Sequence, residues 1–383
     1  MSSLNLLMWP NFFFPKTGGV ATVVYNLAHQ LRYYDIHTSV VTETFRDAPA
    51  MERGSWGGAV FRIPFMVPEA ELGDAANRYM SPLRRIIVDE SIDLVHVHLL
   101  DIQGYYANVL LKEVKIPLVV SIHGSDIFHF HRKNRFLQEQ AISLLEKAQL
   151  VISCSAALAQ ELEAIMADAR ASNPNIAVIP NGINISCLSY AVESAARPRP
   201  GGPIRVLGIG RLDWVKGFDI LVQAVYLIKE ERTIPKLAVQ IVGDGEEREP
   251  LQRMVQELGL VDCIGFNGEC PNDLIPRFLQ TADMLVVPSR TEGFGIVVLE
   301  GMCAGLPIVA SATGGIPEII THGRHGWLVP PENPRALAEA LLSAIRDRAR
   351  WPDYAMQNRN DVRRYDWRHI SARYAKTYRD LLV

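Results

Sequence analysis

The sequence predicts an α/β protein built from two parallel-sheet domains. Short apolar runs rich in Val, Ile and Leu alternate with amphipathic stretches of helical length over most of the 383 residues. Continuous apolar strands of this kind are typical of parallel sheets that helices cover on both faces. The alternation stops at "RPRPGGP" (197–203), which is too rich in Pro and Gly for regular structure. We therefore expect a Rossmann-like doubly wound domain on each side of this segment.

The expected division of the chain follows from this pattern. It gives an N-terminal domain at 1–184, a linker at 185–203, a C-terminal domain at 204–360 and a closing segment at 361–383. The closing segment spaces Trp367 and its apolar successors as a helix does.

The N-terminal domain contains six apolar runs that predict strands and five amphipathic stretches that predict helices. The strands are expected at 4–9, 38–42, 93–98, 117–122, 150–153 and 176–180. The helices are expected near 20–33, 76–90, 103–113, 134–148 and 156–167, and Ser155 is a good N-cap for the last.

The C-terminal domain repeats this alternation. Its strands are expected at 204–209, 237–242, 261–266, 284–288 and 307–310. Its helices are expected near 217–230, 247–258, 272–280, 295–304 and 334–347.

Composition excludes several classes of protein. Acidic residues slightly outnumber basic ones (42 against 39), so binding of nucleic acid is not expected. The five cysteines form no CxxC, and the opening residues do not resemble a secretory signal, which together favour a cytoplasmic protein. The longest apolar window (294–312) is interrupted by Glu300, several glycines and Pro307, so it does not predict a membrane span.

Glycines and polar residues cluster where the predicted strands end. In open α/β sheets, ligands bind outside the carboxyl ends of the strands. If both sheets turn these ends toward a shared cleft, the following loops would line one site. They are Gly18-Gly19, "HGSD" (123–126), "RLDWVKG" (211–217), "GDGE" (243–246), "FNGE" (266–269), "SRTEGFG" (289–295) and "SATGGIPE" (311–318).

The stretch "EGFGIVVLE" (292–300) holds two carboxylates, Glu292 and Glu300. In a continuous helix they would lie about 12 Å apart along the axis, more than the roughly 5–9.5 Å of a glycosidase pair. The glycines instead indicate that Glu292 lies on a loop and that a helix begins near Gly295. The first turn of that helix would bind an anion. The stretch predicts a sugar nucleotide site with a carboxylate at each end, although a tight turn into a packed helix would give the same pattern.

Arg211 and Lys216 lie on one predicted loop and could compensate the charge of a diphosphate. Gly18 and Gly19 would allow close approach of backbone to a phosphate or sugar. Taken singly, these residues fit a solvated loop and an ordinary turn equally well. No GxGxxG occurs, which argues against a dehydrogenase.

Histidines are frequent in the first domain, at "HVH" (96–98) and in "HGSDIFHFH" (123–131). Without HExxH, CxxC or clustered acids, we expect no metal site. His123 is interpreted as a residue that touches the transferred group, with a buried, backbone-bonded histidine as the alternative. The basic run "HRKNR" (131–135) predicts a solvated helix start or contact with an anionic or membrane-borne acceptor.

Seven motifs in order resemble glycosyltransferase family 4, the "group 1" retaining transferases of the GT-B fold, in which two Rossmann-like domains face each other across a cleft. They are "GGV" (18–20), "HG" (123–124), "PNGI" (180–183), "GRLDWVKG" (210–217), "GDG" (243–245), "PSRTEGFGIVVLEGMCAGLPIVAS" (288–311) and "GGIPEII" (314–320). Asn184 replaces a frequent Asp and Gly301 a frequent Ala, and neither change removes a charged contact.

The resemblance implies a role for each candidate residue. Arg211 and Lys216 would bind the donor diphosphate, Glu292 the sugar and Glu300 the ribose. The other implied positions are the backbone amides of Phe294, Gly295 and Ile296 on sugar and phosphate, Gly18 and Gly19 on the phosphate, Gly243 and Phe266 near the base, His123 near the reacting carbon and Asp126 in a supporting polar role. The last helix would cross back onto the first domain.

The expected activity is therefore transfer of a hexose from a nucleotide sugar to a hydroxyl with retention, without metal or cofactor. A UDP-sugar is the first expectation for the donor and a GDP-sugar the second. The acceptor is expected in polysaccharide or glycolipid synthesis, with peripheral membrane contact through the first domain as one option. A nucleotide-sugar epimerase or hydrolase and an inactive binding module are the alternatives.

Overall fold

The computed structural model describes residues 3–16, 18–45, 47–64, 72–172, 174–186, 202–229 and 236–382, and only the backbone of 72–79. The expected linker at 185–203 lies largely outside the described residues. The chain divides into two compact units, one made of Met1–Gly182 with Trp367–Val383 and the other of Ile183–Asp366. The first unit thus contains the final helix, and its boundary falls between Asp366 and Trp367.

The first unit is built on an eight-stranded sheet with the order β3-β4-β2-β1-β5-β6-β7-β8. Its pairings are parallel except for β3 with β4. The strands are β1 (Leu4–Pro10), β2 (Ile36–Thr42), β3 (Met51–Arg53), β4 (Ala59–Arg62), β5 (Leu94–His98), β6 (Leu118–Ile122), β7 (Leu150–Ser153) and β8 (Ile176–Val178).

The helices of this unit follow the predicted pattern closely. They are α1 (Gly19–Leu31), α2 (Leu72–Asp89), α3 (Ile102–Glu113), α4 (Ser125–Phe128), α5 (Arg135–Lys147), α6 (Ala156–Asp168) and the final helix α14 (Trp367–Asp380). The Ser155 hydroxyl accepts a bond from Leu158 N, which confirms it as the N-cap of α6.

The final helix α14 packs against α1 and reaches β5 of the first sheet through Tyr378 and His96. The Tyr378 hydroxyl lies 2.7 Å from His96 Nδ1, and the Tyr34 hydroxyl donates to Arg368 O. Tyr374 and Tyr378 are buried, so the apolar spacing read from the sequence is the packed face of this helix.

The second unit is a six-stranded parallel sheet with the order β11-β10-β9-β12-β13-β14. Its strands are β9 (Ile204–Ile209), β10 (Leu237–Val242), β11 (Ile264–Phe266), β12 (Met284–Val287), β13 (Ile308–Ser311) and β14 (Gly326–Val329). The helices are α7 (Phe218–Lys229), α8 (Arg248–Glu257), α9 (Ile275–Thr281), α10 (Ile296–Ala304), α11 (Ile316–Ile319), α12 (Pro334–Arg346) and α13 (Trp351–Asp361).

The predicted fold class is confirmed, because both units are parallel-sheet α/β structures. The elements that were not predicted are the short strands β3, β4 and β14, the four-residue helices α4 and α11, and the helix α13. The three strands have only three or four residues each, and α13 buries few of its side chains, so neither leaves a clear periodic pattern.

The strand order locates the ligand-binding edge of each unit. In the second sheet, β9 lies between β10 and β12, so the chain leaves β9 in one direction and returns to its other side. The first sheet reverses in the same way at β1, between β2 and β5. Crevices at such reversal points, beyond the carboxyl ends of the strands, are where open α/β sheets bind ligands.

Candidate active site

The reversal point of the second unit brings Lys216 and Glu292 together. Lys216 follows β9 and Glu292 follows β12, and their Nζ and Oε2 atoms are 2.7 Å apart. Ser289 Oγ donates to the same carboxylate oxygen at 3.3 Å. Both charged side chains are largely buried, with 24% and 13% exposure. Lys216 and Glu292, for which the sequence predicted separate roles, therefore form one ion pair.

Arg211 lies at the beginning of the same loop as Lys216. Its guanidinium contacts the carboxylate of Asp213 at 2.8 Å, and its side chain is 75% exposed. Asp213 in turn accepts from Lys216 N. Arg211 is consequently anchored to the loop on one side and accessible to solvent on the other.

The loops after β9 and β12 are held together by Arg290. Its guanidinium donates to both carboxylate oxygens of Asp219, at 2.8 and 2.7 Å, and to the carbonyl of Trp214 at 2.8 Å. It also contacts Glu332 at 3.0 Å and lies over the Trp214 ring. Its side chain is 11% exposed. The sequence analysis missed this residue, since nothing in "SRTEG" distinguishes an arginine that binds protein from one that binds ligand.

A third loop, after β13, packs on the backbone of Glu292. Gly315 N donates to Glu292 O at 3.1 Å, and the Thr313 hydroxyl donates to Arg290 O at 3.0 Å. Gly314 has a φ of +51°, and a Cβ there would lie 1.7 Å from Glu292 O. Only glycine allows this approach, so Gly314 fixes the backbone that carries Glu292.

Helix α10 begins beside Glu292, as the sequence predicts. Gly295 precedes it with a φ of +100°, and Ile296 is its first residue. The amides of a first helical turn have no acceptor inside the helix, and they attract anions. Phe294 is buried against Tyr365, with ring centroids 5.8 Å apart. Its side chain therefore anchors the start of the helix, and only its backbone can serve a ligand.

Glu300 lies in the body of α10, as expected, about one turn after its first residue, Ile296. The Glu300 residue is partly exposed, but its carboxyl group is buried by the surrounding protein. Burial raises the pKa of Glu300 to about 7. A carboxyl in this state changes charge in the neutral pH range.

Gly243 and Phe266 lie at the ends of β10 and β11. A Cβ on Gly243, which has a φ of +141°, would lie 1.9 Å from Gly210 O. The amide of Gly243 also donates to Gly268 O at 2.8 Å. Close packing between these loops thus explains why residue 243 is a glycine, without a ligand. Phe266 packs partly against the core of the unit.

In the first unit, His123 follows β6 and is partly exposed. Its Nε2 lies 3.2 Å from His98 Nδ1, and the two rings stack. His98 packs against His96, which also contacts Ser121 at 2.7 Å. Burial lowers the pKa of all three histidines, so the imidazoles are neutral near pH 7.

Asp126 is 1% exposed, and its carboxylate accepts bonds from backbone amides. The donors are His123 N at 3.1 Å, Gly124 N at 2.9 Å and Leu100 N at 3.4 Å. These contacts position the turn that carries His123. We therefore propose that Asp126 positions this turn, which specifies the supporting polar role expected for it.

Gly18 and Gly19 precede and begin α1, after β1. Among the described residues, no atom outside the adjacent backbone lies within 4 Å of a Cβ built on either glycine. Packing within this unit therefore does not require glycine there, and close approach of a ligand would explain both residues.

Two features are absent from the described residues. No helix among them is long and apolar enough to cross a bilayer. They also contain no group of three or more His, Cys, Asp or Glu side chains that could hold a metal ion.

Replacement of Gly314 by Ala tests the contact between the loops. Both Gly314→Ala and the control Gly323→Ala place alanine at positive φ, but Gly323 has open space around its Cβ. The control should lose about 1–2 kcal/mol from left-handed strain alone. Gly314→Ala should lose at least about 2 kcal/mol more, because the clash displaces the Glu292 backbone. Equal denaturation midpoints by scanning calorimetry would contradict this packing.

Replacement of Glu300 by Gln tests its raised pKa. The ordinary pKa of a glutamate carboxyl is 4.5, and the pKa of Glu300 in the folded protein is about 7, so the folded state binds the proton more tightly. The protonated Glu300 carboxyl contributes fully to the free energy of unfolding below pH 4.5, and this contribution is lost as the pH rises through about 7. Glu300→Gln should therefore stabilise the protein relative to wild type more at pH 8 than at pH 5. The control is Glu339→Gln, at an exposed acid. A difference from wild type that does not change with pH would refute the assignment.

The chain is similar to known glycosyltransferases over most of its length. Residues 17–186 match the family described as Glycosyltransferase Family 4, and residues 191–364 match Glycosyl transferases group 1. An uncharacterized glycosyltransferase of Methanocaldococcus jannaschii is 30% identical over 306 residues, 76% of each chain.

Two solved structures share the fold. Sucrose-phosphate synthase from Thermosynechococcus elongatus superposes with a TM-score of 0.84 at 22% identity, over 99% of each chain. The Anabaena protein HepE in complex with UDP-glucose has a TM-score of 0.75 at 23% identity, over 98% of this chain and 100% of its own. Together with the family matches, these likenesses show that the chain belongs to the group 1 glycosyltransferases of family 4 and has the GT-B fold.

Proposed function

We propose that the protein transfers a hexose from a nucleoside diphosphate sugar to an acceptor hydroxyl with retention of anomeric configuration. The observation that carries this proposal is the Lys216–Glu292 ion pair beside the beginning of α10. It combines a cation for a diphosphate, a carboxylate for sugar hydroxyls and a helix start for anionic oxygens within one crevice.

The ion pair can persist when the donor binds. A lysine ammonium has three N–H donors, and Glu292 occupies one of them. The other two can point to phosphate oxygens, together with the exposed guanidinium of Arg211 and the amides of Gly295 and Ile296. These groups would stabilise the negative charge that grows on the diphosphate as it leaves.

Carboxylates recognise the two hydroxyl-bearing ends of the donor. Glu292 accepts bonds from hydroxyls of the transferred sugar, and Glu300 accepts them from the ribose. The base lies near Gly243 and Phe266. We propose that Gly18 and Gly19 approach the phosphate and that the neutral His123 imidazole contacts the sugar near its reacting carbon, as the family resemblance implies.

The reaction requires one bond exchange and one proton transfer. The bond from the anomeric carbon to the diphosphate oxygen breaks, and a bond from that carbon to the acceptor oxygen forms on the same face. The acceptor hydroxyl gives its proton to the departing diphosphate, which serves as the base. The described site supplies orientation and charge stabilisation for these steps, and no protein nucleophile is assigned.

A UDP-sugar is the first candidate for the donor, because the structural relative HepE is in complex with UDP-glucose. A GDP-sugar is the second. We propose that neither metal nor cofactor takes part. Undiminished turnover in excess EDTA would support metal independence, and NMR of the product would test retention of configuration.

A nucleotide-sugar epimerase or hydrolase is the competing function. Both of these activities proceed without an acceptor hydroxyl, apart from water. Incubation of the protein with donor alone distinguishes them from transfer, because a transferase consumes donor slowly until an acceptor is added.

Replacement of Glu292 by Ala tests the role of the carboxylate. Turnover should fall about 10²–10³-fold, since the sugar loses contacts that act in the transition state. Affinity for UDP should stay the same or increase, because Lys216 loses its internal partner. The control is Glu257→Ala, at an exposed acid on α8. A near-normal turnover number for Glu292→Ala would refute the assignment.

A further inference from the structure

The first unit contains a cavity of about 390 Å³ beyond the carboxyl ends of β1, β5 and β6. Its polar lining side chains come from three loops and the short helix α4. Those that matter for binding are Asn11, Asp101, Ser125, His129, Arg132 and Lys133. The volume falls at the lower end of small-molecule sites, which run from about 300 to 1,000 Å³. A ligand the size of one sugar ring with a substituent fits it.

This cavity adjoins the turn that presents His123. Asp126 lines the cavity and also accepts the backbone bonds from His123 and Gly124. A molecule in the cavity would consequently contact the turn that carries His123. The proposed function places the imidazole of this residue beside the reacting carbon.

The charges of the lining favour an anion. Asp126 is 1% exposed and its oxygens are engaged by backbone amides, so it cannot serve a ligand. Apart from Asp126, the charged side chains among the described lining residues are Arg132, Lys133 and Asp101, and the Lys133 ammonium has the clearest geometry for an anion.

The Lys133 ammonium is pre-positioned for such a contact. It lies 3.4 Å from Asp101 Oδ1, longer than the roughly 2.7–2.9 Å of a strong charge-assisted bond. Its side chain is 14% exposed, so the ammonium is held at the cavity and is not free in solvent. A partly buried cation with a weak internal partner gains from a second anion.

Hydroxyl-binding groups lie beside these cations. The Asn11 amide, the Ser125 hydroxyl and the Asp101 carboxylate line the same cavity. This combination matches a molecule that carries both hydroxyls and a phosphate.

We propose that this cavity is the acceptor site and that the acceptor is a phosphorylated polyol, with its phosphate at Lys133 and Arg132. The inference rests on the proposed function for the reaction, but binding can be tested without turnover. The phosphate can belong to a free sugar phosphate or to a lipid headgroup, since the chemistry of the contact is the same.

The test is calorimetric titration of the full chain, with and without saturating UDP. The ligands are glucose 6-phosphate, mannose 6-phosphate and inositol monophosphates, each paired with its unphosphorylated parent. Vesicles of phosphatidylcholine with and without phosphatidylinositol form the lipid arm. At least one phosphorylated ligand or the phosphatidylinositol vesicle should bind at least ten-fold more tightly than its counterpart.

Charge variants assign the contact to the cavity. Lys133→Gln and Arg132→Gln should each weaken binding of the phosphorylated ligand about ten-fold, and Asp101→Asn should strengthen it. The matched control is Arg135→Gln in the same basic run, whose side chain is 92% exposed and paired with Glu139. UDP affinity should be unchanged in all four variants.

Three results would overturn the proposal. One is equal affinity for phosphorylated and unphosphorylated ligands, and another is an equal loss in Arg135→Gln and Lys133→Gln. The third is absence of binding by every phosphorylated ligand and vesicle while UDP binds normally. If UDP itself does not bind, the proposed function fails, and the phosphate titrations still report on the cavity.

Discussion

The candidate site of the second unit depends on the contacts of one buried guanidinium, that of Arg290. It joins the loop after β12 to Asp219 at the start of α7 and to the carbonyl of Trp214 in the loop after β9. Bidentate bonds between arginine and carboxylate fix orientation as well as distance. Two loops that are far apart in sequence thereby keep a fixed spacing, and Lys216 and Glu292 meet across them at 2.7 Å.

This arrangement explains how the charge of the largely buried Lys216 is stabilised within the protein. Glu292 compensates the Lys216 charge, and further ammonium donors remain for phosphate. The positive φ and close backbone approach of Gly314 hold the Glu292 carbonyl from the other side. Glu300 is different, because burial raises the pKa of its carboxyl to about 7.

The sequence alone predicted the fold class and most strands, because buried parallel strands are continuous apolar runs. It also predicted that Glu292 lies on a loop before α10, since Gly293 and Gly295 between Glu292 and the helix disfavour a continuous helix. It could not predict Arg290 or the positioning role of Asp126. Their partners, Asp219 and the amides near His123, are determined by folding, and the residue types alone do not reveal whether a side chain binds protein or ligand. The strands β3, β4 and β14 were too short to show a period.

The most direct measurement of the central claim is the calorimetric affinity of the wild-type protein for UDP, UMP and uridine under the same conditions. If Lys216, Arg211 and the start of α10 bind a diphosphate, UDP should bind at least about ten-fold more tightly than UMP, or 1.4 kcal/mol. UMP should in turn exceed uridine. Equal affinities for the three ligands would contradict the account, since the second phosphate would then contribute nothing to binding.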